Sequence, residues 1–406
     1  MARDVDIVLF GASGFVGRLT AAHLAAHAPS GTRIALAGRS RERLAAAARD
    51  LGPVAADWPL VVADASDEES LRTLAESTRV MVSTVGPYLR HGLPLVQACA
   101  RAGTHYADLT GEVLFVRASI DTADEAARAS GARIVHSCGF DSVPSDLAVL
   151  LAHEWAQAQD AGPLTSATLE VLSARGGFSG GTVDSLRLQL DTARRDRQAR
   201  RLVGDPYALS PDRAREPDLG RQPDVFRPHR REATSEWVAP FVMATYNTRV
   251  VRRSNALLDH AYGPRLRYAE VMAFSGRTAA LRASAVTGVL AGLTGLLAVQ
   301  PLRPLLDRLL PSPGTGPGER TRRTGHFRLR VDARTESGRR ATVTVAAQGD
   351  PGYAATAVML GQSALALALD GDRLPARAGV LTPATGIGMP LVNRLRHEGF
   401  TLDVAT

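Results

Sequence analysis

The chain has 406 residues and a formal net charge of +7, with 45% hydrophobic and 22% charged residues. That composition excludes intrinsic disorder and collagen-like repeats, and the length suits two or three domains. All 48 Lys-plus-Arg positions are arginine, which excludes Schiff-base lysines, a Walker A lysine and a lysine general base. The arginines are spread along the whole chain, so the charge marks no local patch. Aromatics at 5% give few base-stacking platforms, and no nucleic acid partner is expected. Cys99 and Cys138 are too few for a disulfide framework and lack metal-ligand spacing. A reducing cytoplasm and no metal centre are the expectations, and residues 1–7 show no signal-peptide pattern.

Residues 5–10 form an apolar run, long enough for a buried parallel strand and too short for a helix. Gly11, Ser13, Gly14, Phe15 and Gly17 follow at once, and residues 18–28 read as an amphipathic helix. Strand, glycine turn and helix in that order predict a dinucleotide site. Gly11 permits a tight turn, Gly14 lets backbone approach a pyrophosphate, and Gly17 lets the helix sit close on the strand. Free N–H groups at the helix start then meet the phosphates. A turn with no ligand is the competing reading.

The next strand, 33–37, ends in Gly38-Arg39-Ser40. An NAD site would carry an acid here for the ribose 2′-hydroxyl, yet none occurs between Arg18 and Arg41. Arg39 and Ser40, with Arg41 and Arg43, suit a 2′-phosphate, so the expected cofactor is NADP(H). Strands 60–63, 80–85, 105–109 and 133–137 follow, with helices at 93–103 and 113–130. Asp64 either accepts from the adenine amino group or caps the helix starting near Glu68. Thr84, Gly86 and Pro87 bring bare backbone beside the nicotinamide ribose at the carboxyl edge of the sheet. Six strands with intervening helices predict an α/β fold. Its first part is an N-terminal NAD(P)-binding Rossmann domain, a doubly wound parallel sheet, over residues 1–147.

Residues 148–406 read as an α+β domain for substrate binding and dimerisation, whose C-terminal segment packs back on the first sheet. It opens with a strand at 165–173, a glycine-rich turn at 176–181, and a helix at 183–200 capped by Thr182. Residues 204–232 are a long surface loop, whose basic cluster at 227–231 is either a solvated charge run or a phosphate contact. A hairpin at 327–332 and 341–347, a buried helix at 353–369, a short helix at 389–397 and a strand at 400–404 complete it. Residues 283–302 carry no charge and would reach roughly 30 Å as a helix, the thickness of a bilayer core. Gly288 and Gly292 have a close-packing spacing, and an amphipathic stub follows at 303–311. A buried or homodimer-interface helix, a peripheral membrane contact and a true span all stay open.

The motifs GASGFVG (11–17), AGRS (37–40), TVGPY (84–88), GTHYADLTGE (103–112) and GFDSVPSD (139–146) together resemble the saccharopine dehydrogenase-like oxidoreductases. GGFSGGT (176–182), GDPGYAATAVMLGQSALALA (349–368) and GVLTPATGIG (379–388) extend the resemblance over the second half, nearest to the actinobacterial trans-acting enoyl reductase branch. One departure is the run from Pro313 to Glu319, where the family usually shows a PGEGP-like sequence. The resemblance implies an NADP-dependent reductase in lipid or glycolipid biosynthesis. Its partner would be an acyl or polyketide lipid substrate, free or bound to a carrier protein, and its place the cytoplasm or the cytoplasmic face of the plasma membrane. Enoyl reduction needs a donor for the enolate and the α-carbon. The candidates near the strand ends are Tyr88, His91, His105, Tyr106 and Asp141. Tyr88 leads because it follows Gly86-Pro87; for His105 and Tyr106 a core role competes. Amino-acid dehydrogenation is the second reading, lowered by the missing lysine. A non-catalytic NADP-binding protein at a lipid surface is the third.

Overall fold

The computed structural model describes residues 3–176, 180–231, 235–298 and 316–406. The first six strands are β1 (Val5–Phe10), β2 (Ile34–Gly38), β3 (Leu60–Val62), β4 (Thr78–Ser83), β5 (His105–Asp108) and β6 (Arg133–Val135). Then come β7 (Leu164–Arg175), β8 (His229–Arg230), β9 (Trp237–Pro240), β10 (Arg267–Phe274), β11 (His326–Thr335) and β12 (Arg340–Gln348). β13 (Gly379–Leu381) and β14 (Thr401–Ala405) close the chain.

One seven-stranded sheet runs β13-β6-β5-β4-β1-β2-β3, with every pair parallel. Its central strands β1, β2 and β4 are apolar on both faces because both are covered, while Val62 on the edge strand β3 is exposed. Ile7 and Leu9 of β1 enter a core shared with helices Phe15–His27 and Thr356–Leu369. Val8 and Phe10 enter the opposite core, under Leu71, Leu95 and Phe115. This is the period-2 alternation of a strand, applied to two cores. The chain winds outward from β1 to β3, then returns to β4 on the other side of β1. That reversal opens a crevice at the carboxyl ends of β1 and β4.

The second sheet runs β14-β12-β11-β7-β10-β9-β8. β7 and β10 are parallel and the other pairs antiparallel. Helix Val143–Ala158 lies on it, with Leu147 and Leu151 in the same core as Leu329, Val331 and Val343. After β12 the chain returns to the first sheet. Helix Thr356–Leu369 packs there and β13 pairs with β6, before β14 rejoins β12.

Several expectations are corrected. The helix foreseen at 183–200 is two helices, Gly180–Arg195 and Arg197–Gly204. Asp196 interrupts them, its carboxylate accepting the Gln198 N–H at 2.7 Å, and position 182 lies inside the first helix instead of capping it. The loop after 204 is anchored: Ala208, Leu209 and Ser210 are buried, and Arg253 donates to the Leu209 carbonyl at 2.6 Å. In its basic cluster, Arg231 pairs with buried Glu170. Helix Ala244–Leu257 escaped the sequence reading because Arg249, Arg252 and Arg253 are buried within it and break the apolar period. Nothing lies within 4 Å of a Cβ built on Gly288 or Gly292, so that spacing seats no neighbour among the described residues. Of the glycine-rich turn expected at 176–181, Gly180 and Gly181 open the helix and residues 177–179 lie outside the described residues, as do 299–302 of the uncharged run and the stub at 303–311.

Candidate functional site

β1 ends in the glycine turn, at the crevice. Gly11 sits at φ +88°, and a Cβ there would lie 2.6 Å from Thr84 Oγ1. A Cβ on Gly17 would lie 2.2 Å from the Gly11 carbonyl. Both positions therefore need glycine, one for conformation and contact, the other for the seat of the helix on the strand. Ser13, Gly14 and Phe15 face the cavity beside this turn. The Thr84 hydroxyl donates to the backbone, 3.1 Å from the Gly11 carbonyl, so it braces the turn. Gly316 approaches so closely that a Cβ there would sit 2.2 Å from the Phe15 ring, which brings this residue of the divergent run against the nucleotide turn.

At the ends of β2 and β3 lie Arg39, Ser40, Arg43 and Asp64. Arg39 is exposed and makes no hydrogen bond or ion pair among the described residues. Ser40 Oγ accepts the Arg43 N–H at 3.2 Å, capping helix Arg41–Leu51 while its own hydrogen stays available. Asp64 accepts from the Ser66 hydroxyl at 2.7 Å and the Ser66 N–H at 2.9 Å, bonds that hold its pKa down. One oxygen thus shapes its own loop; the helix cap is Asp67, not Asp64. His91 lines the same wall, its pKa lowered by burial and by Arg90 and Arg39. A glycine cradle closed to any side chain and an unpaired guanidinium beside a donor hydroxyl fit a dinucleotide carrying a 2′-phosphate.

Across the crevice, Gly86 and Pro87 line the wall and lead into Tyr88. The Tyr88 hydroxyl donates to the Ser83 carbonyl at 2.9 Å and accepts the Leu109 N–H at 3.2 Å. Burial pushes its pKa well up. Both functions of the hydroxyl are spent on backbone, so Tyr88 ties β4 to β5. His105 stands at the opposite, amino end of β5, where it accepts the Arg133 N–H at 3.1 Å, and burial lowers its pKa to about 4. Tyr106 is wholly buried beneath the sheet. Neither reaches the cavity. Cys99 and Cys138 are likewise core residues.

Asp141 does line the cavity, and its carboxyl makes no hydrogen bond among the described residues. Burial pushes its pKa up to about 6. Near it stands Tyr246, a residue the sequence did not single out. Its hydroxyl is 2.5 Å from Ser137 Oγ, and Ser137 donates to the Thr110 carbonyl at 2.8 Å. Because Ser137 spends its hydrogen on Thr110, Tyr246 is the donor in their bond. Ser137 is held at φ +66°, its N–H donating to Asp108 at 2.9 Å. Asp108 is fixed in turn by His136 Nδ1 at 2.8 Å.

Glu112 also went unread as a site residue. Its carboxylate accepts the N–H groups of Tyr88 at 2.9 Å and Leu89 at 2.7 Å, and the hydroxyl of Ser185. Burial raises its pKa. Gln189, one turn further along the same helix, accepts the Val113 N–H at 3.1 Å. Helix Gly180–Arg195 is thereby clamped onto the loops after β4 and β5.

The cavity continues past these groups into an apolar chamber between helices Gly180–Arg195 and Ala279–Ala298. Leu186, Leu190, Phe241, Val286 and Leu290 form its walls. Nucleotide cleft and chamber are one space of about 1260 Å³.

Residues 7–135 match the family model of the saccharopine dehydrogenase NADP-binding domain. The chain is 50% identical to a putative trans-acting enoyl reductase of Mycobacterium tuberculosis, over 98% of this chain and 97% of that one. It is 49% identical to trans-acting enoyl reductases of Mycobacterium bovis and Mycobacterium ulcerans, with the same coverage. Among solved structures, apo saccharopine dehydrogenase (L-Glu forming) from Saccharomyces cerevisiae matches 99% of each chain with a TM-score of 0.58 at 14% identity, a likeness of fold.

Proposed function

The chain belongs to the saccharopine dehydrogenase-like oxidoreductases, in the trans-acting enoyl reductase branch, and from that membership we propose that it reduces the carbon–carbon double bond of an enoyl lipid or polyketide intermediate. The observation that carries this reading is the continuity of the cavity: a dinucleotide cleft opens directly into an apolar chamber. Such a space accepts a long acyl chain with its unsaturated end at the cleft. NADPH, when bound, supplies the hydride.

The chain's own residues then have defined tasks. Gly11, Gly14 and Gly17 give the phosphates access to backbone N–H groups, and Arg39 and Ser40 select the 2′-phosphate. Gly86 and Pro87 keep side chains out of the cleft. Tyr246, kept protonated by burial and held at the cavity wall by Ser137, gives its proton to the α-carbon once the hydroxyl turns from Ser137 to the substrate. Asp141 is a second proton carrier at the same wall. Leu186, Val286 and Leu290 exclude water from the reacting end.

The test is NADPH oxidation by the purified chain with enoyl thioesters of increasing length, against matched keto and imino acceptors. Oxidation with enoyl acceptors alone, rising with chain length, is the expected result. Turnover only with an imino acid would restore the amino-acid dehydrogenase reading.

Among the described residues, two helices are long and apolar enough to cross a membrane by length and composition. Residues 351–369 are a core element. Ala279–Leu297 leaves one face outside, with Leu281 71% and Val289 70% exposed. That face supports peripheral contact with the cytoplasmic face of the plasma membrane, beside the chamber that the same helix walls. Sedimentation with anionic lipid vesicles tests it. Loss of binding in Leu281→Glu/Val289→Glu is expected, whereas a wild-type dimer dissociated by those changes would assign the face to a second copy.

A further inference from the structure

Helix Phe15–His27 carries His23 and His27 one turn apart, at its end away from the glycine turn. Side chains four apart share a helix face. Glu398, at the turn after helix Met389–His397, meets that face, and the ligating atoms of all three lie within 4.8 Å of one another. His27 Nδ1 is 3.0 Å from Glu398 Oε1. Two ligands of a tetrahedral zinc-type ion stand about 3.3 Å apart, so this pair is already at chelating separation.

The surroundings aim the other ligand atoms. Asp370 grips Arg394 through two bonds of 2.8 Å, and Arg394 donates to Gln362 Oε1 at 3.3 Å. That fixes the Gln362 amide, whose nitrogen must face the cluster. It donates to His23 Nε2 at 3.0 Å and to Glu398 Oε1 at 2.7 Å. His23 Nε2 is therefore an acceptor, with its proton on Nδ1. Lone pairs from two residues converge on one electropositive group, and the His27–Glu398 pair borders it. Gly361 completes the seat: a Cβ there would lie 2.5 Å from His23 Cδ2, so the buried imidazole occupies the space a side chain would take.

We propose that His23, His27 and Glu398 bind a divalent transition-metal ion of the zinc class, which clasps the first helix of the nucleotide domain to the C-terminal turn. Two imidazoles and a carboxylate are the donor set that such ions prefer over magnesium or calcium. To bind the ion, the Gln362 amide leaves the point of convergence and the exposed His27 ring turns out of its stack on His23, where the ring centroids are 4.4 Å apart at 17°; water is the fourth ligand. The role is a staple between segments far apart in sequence, outside the hydride-transfer site.

The experiment uses the full chain without a polyhistidine tag, stripped by chelator and titrated with Zn²⁺ by calorimetry and with Co²⁺ by absorption. The proposal expects one equivalent of Zn²⁺, the intense visible bands of four-coordinate Co²⁺, and a higher Tm with metal. His27→Ala and Glu398→Gln should each weaken Zn²⁺ binding at least about tenfold and remove the Tm rise, with NADPH affinity unchanged. No saturable Zn²⁺ binding to the wild type, or equal binding by wild type and both variants, overturns it.

Discussion

The two sides of the cavity are built differently. Where it meets the phosphates and the nicotinamide ribose, the nucleotide side is made of backbone and its absence of side chains: Gly11, Gly14, Gly17, Gly86 and Pro87, all from the segments that follow two adjacent strands. The acyl side is made of side chains from elements scattered over the chain, with Tyr246, Ser137, Asp141, Leu186 and Val286 meeting only after folding. Sites of the first kind should fail when a side chain is added. Sites of the second kind should fail when an atom is removed.

The largest effect is expected from adding a methyl to the nucleotide side. Gly17→Ala places a carbon 2.2 Å from the Gly11 carbonyl and must push the helix off the turn. NADPH affinity should fall by about 100-fold or more, read by fluorescence titration with circular dichroism as the folding control. Next is the removal of one oxygen from the acyl side. Tyr246→Phe should slow hydride-coupled reduction by about 10²–10³-fold and leave NADPH affinity unchanged. Tyr88→Phe is the control, since its hydroxyl serves backbone; it should cost about 1 kcal/mol of stability in denaturant titration and far less rate. If Tyr88→Phe is the slower enzyme, the assignment of the two tyrosines is reversed.

Arg39→Gln follows, with NADPH binding weakened about 10–100-fold and NADH binding little changed. Equal losses for both nucleotides would remove Arg39 from the 2′-phosphate. Val286→Phe narrows the chamber and should raise KM about tenfold for long acyl thioesters, with short ones unaffected.

The smallest effect is a pH dependence. Asp141 has its pKa raised from the ordinary 3.8 to about 6 by burial. Between those values the folded state binds more protons than the unfolded, so this group makes stability fall as pH rises through the window. Asp141→Asn should flatten that part of the stability curve and gain about 1–2 kcal/mol near neutrality. A wild-type curve unchanged by the substitution contradicts the burial of the carboxyl.

The same contrast explains what could be read from the sequence. A backbone site is local, so GASGFVG after an apolar strand announced the turn, and the missing acid pointed to Arg39, which lines the same cavity. The parallel strands were legible because both faces are buried. Tyr246 was not legible, because its helix hides three buried arginines whose partners, such as the Leu209 carbonyl, come from a distant loop. Glu112 stood within a recognised motif, but its task as acceptor for Tyr88 and Leu89 depends on how two strand ends approach. The choice of Tyr88 as proton donor rested on its place after Gly86-Pro87. Proximity in sequence gave its address but not its hydrogen bonds.

If the two sides act on one molecule in one cavity, hydride and proton reach adjacent carbons of the same acceptor. The direct measurement is reduction of an enoyl thioester with NADPH deuterated at the transferable position, followed by mass spectrometry and NMR of the product. One deuterium at the β-carbon and a solvent-derived proton at the α-carbon are expected. NADPH binding with no label in any enoyl acceptor, or label on a carbonyl carbon instead, would contradict it.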